Sequence, residues 1–146
     1  MIAYVNGCFD ILHIGHVTLL EFAKSYRPET KLIVGINSDQ SVRRLKGEGR
    51  PVFPASARRH VLMSLRAVDE VAVFDEDSPV EQLAALYSIG VGPDVVFKGA
   101  DYQGKDFPER RVIIDNNGII AYVKLVEGAS TTGILETIDG INPSRR

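Results

Sequence analysis

The sequence predicts a doubly wound α/β fold, a five-stranded parallel sheet with helices on both faces. Three observations carry this expectation. Five short apolar runs rich in β-branched residues recur along the 146-residue chain. Most of the stretches between them have helical periodicity, the alternation that builds parallel sheets with crossover helices. The runs are also nearly continuous rather than alternating, as strands covered on both faces require. At roughly 100–200 residues per domain, residues 1–146 are expected to form a single domain.

Ile2–Val5 reads as the first strand. A helix follows, because Val17, Leu20, Ala23 and Tyr26 recur every third residue and Pro28 stands where it should stop. Lys31–Ile36 is the second strand, and residues 47–53, Gly-Glu-Gly-Arg-Pro-Val-Phe, read as a loop. From Pro54 to Val68 the spacing of Ala57, Val61, Leu62, Leu65 and Val68 predicts an amphipathic helix leading into the third strand, Val71–Phe74. Val80, Leu83, Ala84 and Tyr87 predict the next helix, with Ser78 as N-cap and Pro79 at its first position. Gly90-Val91-Gly92 follows that helix and precedes the fourth strand at Asp94–Phe97, so it is a turn rather than a dinucleotide fingerprint. A polar loop at 99–108, a fifth strand at Ile119–Val123 and a helix from Thr131 to Ile138 complete the order; the tail at 142–146 is expected to fray.

Composition excludes several function classes. Seventeen basic and nineteen acidic residues give a formal net charge of −2, without the broad positive field of a sequence-independent nucleic-acid binder. No segment reaches the roughly 20 apolar residues of a membrane span, and no signal peptide is visible, so a cytoplasmic protein without membrane or nucleic-acid partners is expected. Cys8 is the only cysteine, which rules out an intramolecular disulfide and a thiolate cage. The near-neutral total conceals a local imbalance. Residues 43–66 carry seven basic groups, Arg43, Arg44, Lys46, Arg50, Arg58, Arg59 and Arg66, against Glu48 alone. Asp75, Glu76 and Asp77 read as a solvated turn that favours the following helix start.

The segment Asn6-Gly7-Cys8-Phe9-Asp10-Ile11-Leu12-His13-Ile14-Gly15-His16 leaves the first strand at its carboxyl end, where open α/β sheets bind ligands. Two imidazoles three residues apart at a helix start face one side, and the intervening glycine is expected to let backbone amides approach an anion. Glu127-Gly128-Ala129-Ser130-Thr131-Thr132 places hydroxyls and free amides at the start of the last helix, a second anion site. Cys8, His13 and His16 match no common zinc spacing, and no protein metal site is expected. Cys8 reads as a small buried hydrophobe whose backbone amide is the binding group.

These two motifs together resemble the small nucleotidyltransferases of the HIGH superfamily over essentially the whole chain. Asn-Gly-Cys-Phe-Asp at 6–10, Asn-Ser-Asp at 37–39, Arg-Leu-Lys-Gly at 44–47 with Arg50-Pro51-Val52, and Val96-Phe97-Lys98-Gly99 with Asp101-Tyr102 are similar to the adenylyltransferases that make ADP-heptose. Glycerol-3-phosphate cytidylyltransferases are the nearest competitor, but they normally carry an arginine where this chain has Leu125 and a threonine at Cys8. In the other direction, Ala100 replaces the second glycine of the heptose pattern Lys-Gly-Gly-Asp. A class I aminoacyl-tRNA synthetase, which shares the histidine motif, is rejected for want of its Lys-Met-Ser-Lys-Ser partner.

The resemblance implies a Rossmann-like fold and transfer of a nucleotidyl group from ATP to a sugar 1-phosphate, with heptose 1-phosphate first. CTP with glycerol 3-phosphate or another polyol phosphate is the alternative, and a non-catalytic nucleotide-binding protein is the alternative of another class. His13, His16 and Lys46 are the implied catalytic residues. Cys8, Phe9, Asp10, Gly15, Lys98, Gly99, Asp101, Gly128, Ser130, Thr131 and Thr132 are the implied nucleotide contacts. Arg58 is assigned to a substrate phosphate, and Arg59, about 100° around the helix, to solvent. Mg²⁺ is expected to arrive with the triphosphate. A homodimer is expected, as is a separate enzyme supplying the sugar phosphate.

Overall fold

The computed structural model describes residues 1–124 and 126–141. Leu125 and the expected frayed tail at 142–146 lie outside the described residues. Five strands, β1 (Ile2–Gly7), β2 (Lys31–Asn37), β3 (Glu70–Phe74), β4 (Val95–Gly99) and β5 (Ile119–Val123), form one parallel sheet in the order β3-β2-β1-β4-β5. This is the doubly wound Rossmann-like arrangement, and the order reverses direction between β1 and β4.

The pleat explains why the strands read as unbroken apolar runs, since successive side chains enter two different cores. Ala3, Val5, Leu32, Val34, Ile36, Val95 and Phe97 pack on one face with Leu20 and Ala23 of α1 (Ile14–Ser25) and Leu62 of α3 (Ala55–Met63). Tyr4, Ile33 and Val96 point to the other face, against Leu83 of α4 (Val80–Ser88), Phe107 and Ile113 of α5 (Arg110–Asp115). The Tyr4 hydroxyl crosses above Gly35 to donate to Gln82 Oε1 at 2.7 Å. A Cβ at Gly35 would lie 2.0 Å from that hydroxyl, so β2 needs a glycine there.

Two helices are absent from the sequence expectation. The first, α2 (Asp39–Lys46), buries Val42 and leaves Leu45 exposed. Its ends compensate for the thin apolar stripe. Ser38 Oγ accepts the Ser41 N–H at 3.2 Å, Asp39 occupies the first turn, and Arg43, Arg44 and Lys46 occupy the last, each sign complementing the helix dipole. The second, α5, is six residues long, too short for a periodic signal. Two boundaries also move. The helix expected over 54–68 ends at Met63, where Ser64 caps it; Val61 is exposed, while Leu65 and Val68 reach the core from the following turns. The N-cap expected at Ser78 is Pro79 instead, whose carbonyl accepts the Leu83 N–H at 2.9 Å, and no side chain caps that end. The last helix, α6 (Thr131–Ile141), runs three residues beyond its expected end and has no buried residue.

Candidate active site

The carboxyl ends of β1, β2 and β4 open onto a cleft with two adjoining basins. Chain direction at the first is set by Phe9, whose φ of +47° turns the backbone after β1 so that its ring tucks beneath His16, centroids 5.0 Å apart. His13 then caps α1. Its Nδ1 accepts the Gly15 N–H at 3.1 Å, and His16 Nδ1 accepts the His13 N–H at 3.2 Å, a reciprocal capping box made by two imidazoles. An Nδ1 that accepts a hydrogen bond carries no proton, so each neutral ring holds its proton on Nε2. Burial, and then the neighbouring His13, push His16 down to about 4; burial also lowers His13. At neutral pH the pair, with ring centroids 3.8 Å apart, therefore offers two Nε2–H donors without positive charge. Gly15 is needed for this seat, because a Cβ there would stand 2.9 Å from His13 Cε1. Gly15, expected to let backbone amides approach an anion, has its own N–H taken by His13.

The basin over the histidines holds about 300 Å³ and is lined by Cys8, Phe9, Asp10, His13, His16, Lys46, Arg50 and Ala129–Thr132. Its neighbour, of about 400 Å³, is lined by Asn6, Gly7, Cys8, Asn37, Lys46, Asp77, Lys98, Gly99 and Tyr102, with Leu19, Leu45 and Phe97 below. Cys8 and Lys46 line both, so the basins meet there, at the point where the strand order reverses. Cys8 Sγ donates to Asn37 Oδ1 at 3.8 Å, and burial pushes its thiol up despite Lys46, Arg58 and Arg50 nearby, which leaves a neutral thiol. Lys98 is buried, ion-paired with Glu109, and donates to Asn6 Oδ1 at 2.8 Å.

The sequence thus anticipated most of the lining. Besides Gly15, which lines neither basin, three residues stand elsewhere. Asp101 is exposed in a short 3₁₀ turn outside both basins. Gly128 is also outside them; its φ of +73° makes the turn that delivers Ser130 to the helix start, where Ser130 Oγ accepts the Gly133 N–H at 2.9 Å.

Arg58 is the third, and the largest departure. It is 2% exposed, and its guanidinium donates to Phe53 O (3.0 Å), Cys8 O (2.7 Å), Asn37 O (2.8 Å) and Asp39 Oδ1 (2.8 Å). A side chain so committed, with four of its five N–H groups engaged, ties these segments together and leaves no paired edge for a phosphate. Arg59 is exposed as expected, with Nε 3.4 Å from Val71 O. Asp10 is buried in the same framework: its carboxylate accepts from Val52 N, Phe53 N and Arg50 Nε at 2.8–3.0 Å. Burial alone would raise its pKa, but the Phe53 and Val52 N–H groups and Arg50 outweigh that and hold it below the usual carboxylate range.

Asn6, Asn37, Asp77 and Arg50 line the cleft without having been anticipated. The two asparagines each end an apolar strand run, a position that could have flagged them. Asp77 is not merely a solvated turn residue, because Arg44 Nε holds it at 2.8 Å on the rim of the larger basin. Among the described residues no group of three or more His, Cys, Asp or Glu side chains could hold a metal, and no helix is long and apolar enough to cross a membrane.

Residues 4–137 match the family model described as cytidylyltransferase-like. Similar curated proteins include the bifunctional protein HldE of Geobacter metallireducens, 43% identical over 94% of this chain and 26% of its own length. The HldE of Nitratiruptor sp. is 45% identical over 92% of this chain and 27% of its own. The chain therefore spans about a quarter of the length of these relatives. Among solved structures, a lipopolysaccharide core biosynthesis protein from Thermoplasma volcanium superposes with a TM-score of 0.66 at 25% identity, covering 87% of this chain and 98% of the other. A pantothenate synthetase from Thermus thermophilus, at 19% identity and a TM-score of 0.53 over 86% of this chain and 56% of that one, shares the fold.

Proposed function

The chain belongs to the cytidylyltransferase-like family, and on that footing we propose that it transfers AMP from ATP to a sugar 1-phosphate, heptose 1-phosphate first, releasing pyrophosphate. The observation that carries this reading is the pair of basins sharing Lys46. One is walled by imidazole, ammonium and hydroxyl donors suited to a triphosphate. The other is walled by amides, Asp77 and Lys98, groups that hydrogen-bond a polyhydroxyl compound. A phosphoryl group passing between them lies beside Lys46. The preference for ATP and heptose rests on the ADP-heptose-type motifs and on the similarity to proteins named HldE.

In the proposed reaction a phosphate oxygen of the sugar 1-phosphate attacks the α-phosphorus in line. The new O–P bond forms as the bond from the α-phosphorus to the bridging oxygen breaks, and that electron pair leaves with pyrophosphate. Positioning and charge stabilisation dominate such a step. His13 and His16 donate Nε2–H bonds to the equatorial α-phosphate oxygens as charge spreads onto them, and Lys46 neutralises the same group from the shared edge. Ser130, Thr131 and Thr132, with the amino terminus of α6, take the departing phosphates. Cys8 contributes its backbone amide, Phe9 seats His16, and Lys98 with Gly99 faces the second basin. The protein groups gathered here suit anions, so Mg²⁺ is proposed to enter on the nucleotide and screen its phosphates. The proposed working unit is a homodimer, which light scattering at assay concentration checks.

Pyrophosphate release measured with ATP and CTP against heptose 1-phosphate, other sugar 1-phosphates and glycerol 3-phosphate tests the reading. ATP with heptose 1-phosphate should give the highest kcat/KM. CTP with glycerol 3-phosphate as the best pair would overturn it, and no turnover with any pair by the folded protein would favour a binding protein.

A further inference from the structure

Arg50 sits in the loop after α2, directly after the stretch whose Gly47 and Gly49 have φ of +92° and +86°. Its side chain is 16% exposed and lines the histidine basin with His13, His16, Lys46 and Ser130. Among the described residues only its Nε is engaged by protein, at 3.0 Å from Asp10 Oδ2. Among the described residues Nη1 and Nη2 have no hydrogen-bond partner, and no buried side-chain nitrogen is left unpaired, so both are open to space. Arg50 stands between the histidine basin and a more open one lined by Asp39, Arg43 and Glu48, and the first of these holds the imidazole and hydroxyl donors that suit phosphates.

The anchor is firm. Asp10 is buried, and besides Arg50 it accepts the N–H groups of Val52 and Phe53. The carbonyl of Phe53 accepts from Arg58, so the loop carrying Arg50 is gripped through both its donors and its acceptors. A guanidinium held by Nε keeps its Nη1–Nη2 edge, two parallel donors at the spacing of two phosphate oxygens. Since Arg58 has no such edge left, the arginine available to a phosphate in this cleft is a different one from that expected.

We propose that Arg50 binds the phosphates of the nucleoside triphosphate through its Nη1–Nη2 edge, with Asp10 as the residue that aims it and Arg58 as a positioning residue for its loop. This assignment rests on the triphosphate occupying the histidine basin, as in the proposed reaction. It gives the positive segment at 43–66 one ligand-facing arginine and one buried one.

Calorimetric titration of the full chain with inorganic tripolyphosphate tests it, using the wild type, Arg50→Gln, Arg50→Lys and Arg59→Ala. Arg50→Gln should weaken binding by about tenfold or more, because a charged, bidentate contact is lost. Arg50→Lys should recover only part, since an ammonium has neither the Nε anchor nor the paired edge. Arg59→Ala should bind as the wild type does, and the unliganded melting temperature of each variant reports folding. Asp10→Asn, where it folds, should resemble Arg50→Lys. Wild-type affinity in Arg50→Gln, or full recovery in Arg50→Lys, overturns the assignment, as does a wild type that binds no tripolyphosphate. If Arg50-dependent binding is found but no nucleotide and sugar phosphate pair yields pyrophosphate, the proposed reaction fails and the phosphate site stands.

Discussion

The two walls of the histidine basin are built differently. The first, residues 8–16 with 50–58, is locked by charged groups taken out of water: Asp10 and Arg58 are each 2% exposed and together make eight hydrogen bonds to neighbouring segments. The second, residues 126–132 and α6, rests on its neighbour lightly. No α6 residue is buried, and Thr131 Oγ1 reaches Ile11 O at 3.5 Å. In the proposed reaction the imidazoles that meet a developing charge would thus sit on the wall with more ties. The groups proposed to hold and then release the leaving anion would sit on the wall with fewer.

The strongest way to break this contrast is Arg58→Ala. Removing the guanidinium takes the donor from three backbone carbonyls and leaves the Asp39 carboxylate with the Ala55 N–H but without its counter-charge, which should cost about 3–5 kcal/mol of stability by chemical denaturation. Arg59→Ala should change it little, and equal effects would dissolve the distinction between the two arginines. Next comes His16→Ala, expected to lower kcat by about 10²–10³-fold, as loss of a preorganised donor does elsewhere. A normal melting temperature with lost pyrophosphate release would separate chemistry from folding. Ser130→Ala on the lighter wall should be milder, at most about tenfold and chiefly in the KM for the triphosphate.

Acid should find the locked wall first. The His16 imidazole has a pKa of about 4 in the folded protein against an ordinary 6.5, so the unfolded chain binds protons that the folded one refuses. Its contribution to stability is complete above about 6.5 and is lost as pH falls towards 4; the lowered Asp10 adds a further loss below that. Melting temperatures from pH 7 to 4 should fall accordingly, while kcat should stay level through pH 6.5. A rate that titrates near 6.5 would contradict neutral imidazole donors. The smallest effect expected is in hydrogen exchange: a bound triphosphate should slow exchange in residues 126–141 more than in residues 6–13, whose backbone is already tied down.

The sheet was legible in the sequence because strands buried on both faces announce themselves by continuous apolar runs. Helix α2 was not, because two apolar residues in eight carry no visible period and its stability lies in its caps and end charges. The helix at 55–63 looked longer than it is because Leu65 and Val68 continue the helical spacing while entering the core from turns. At the site, His13, His16, Lys46 and Ser130–Thr132 were found because motif residues travel together in sequence. Arg50 and Arg58 are chemically identical in a string of letters. Only the acceptors that fold around each one distinguish a buried tie from an open fork.

Lys46 lines both basins, and a single ammonium placed there cannot be fully engaged by two separate ground-state anions at once. A triphosphate bound alone, or a sugar phosphate bound alone, draws on it from one side. In the proposed reaction the five-coordinate phosphorus that joins the two would sit where both claims converge. Under the proposed reaction the shared lysine would be a device for differential affinity, its field felt most strongly by the species that exists only at the top of the barrier. Lys46→Ala should depress kcat well beyond any change it makes in either substrate's dissociation constant.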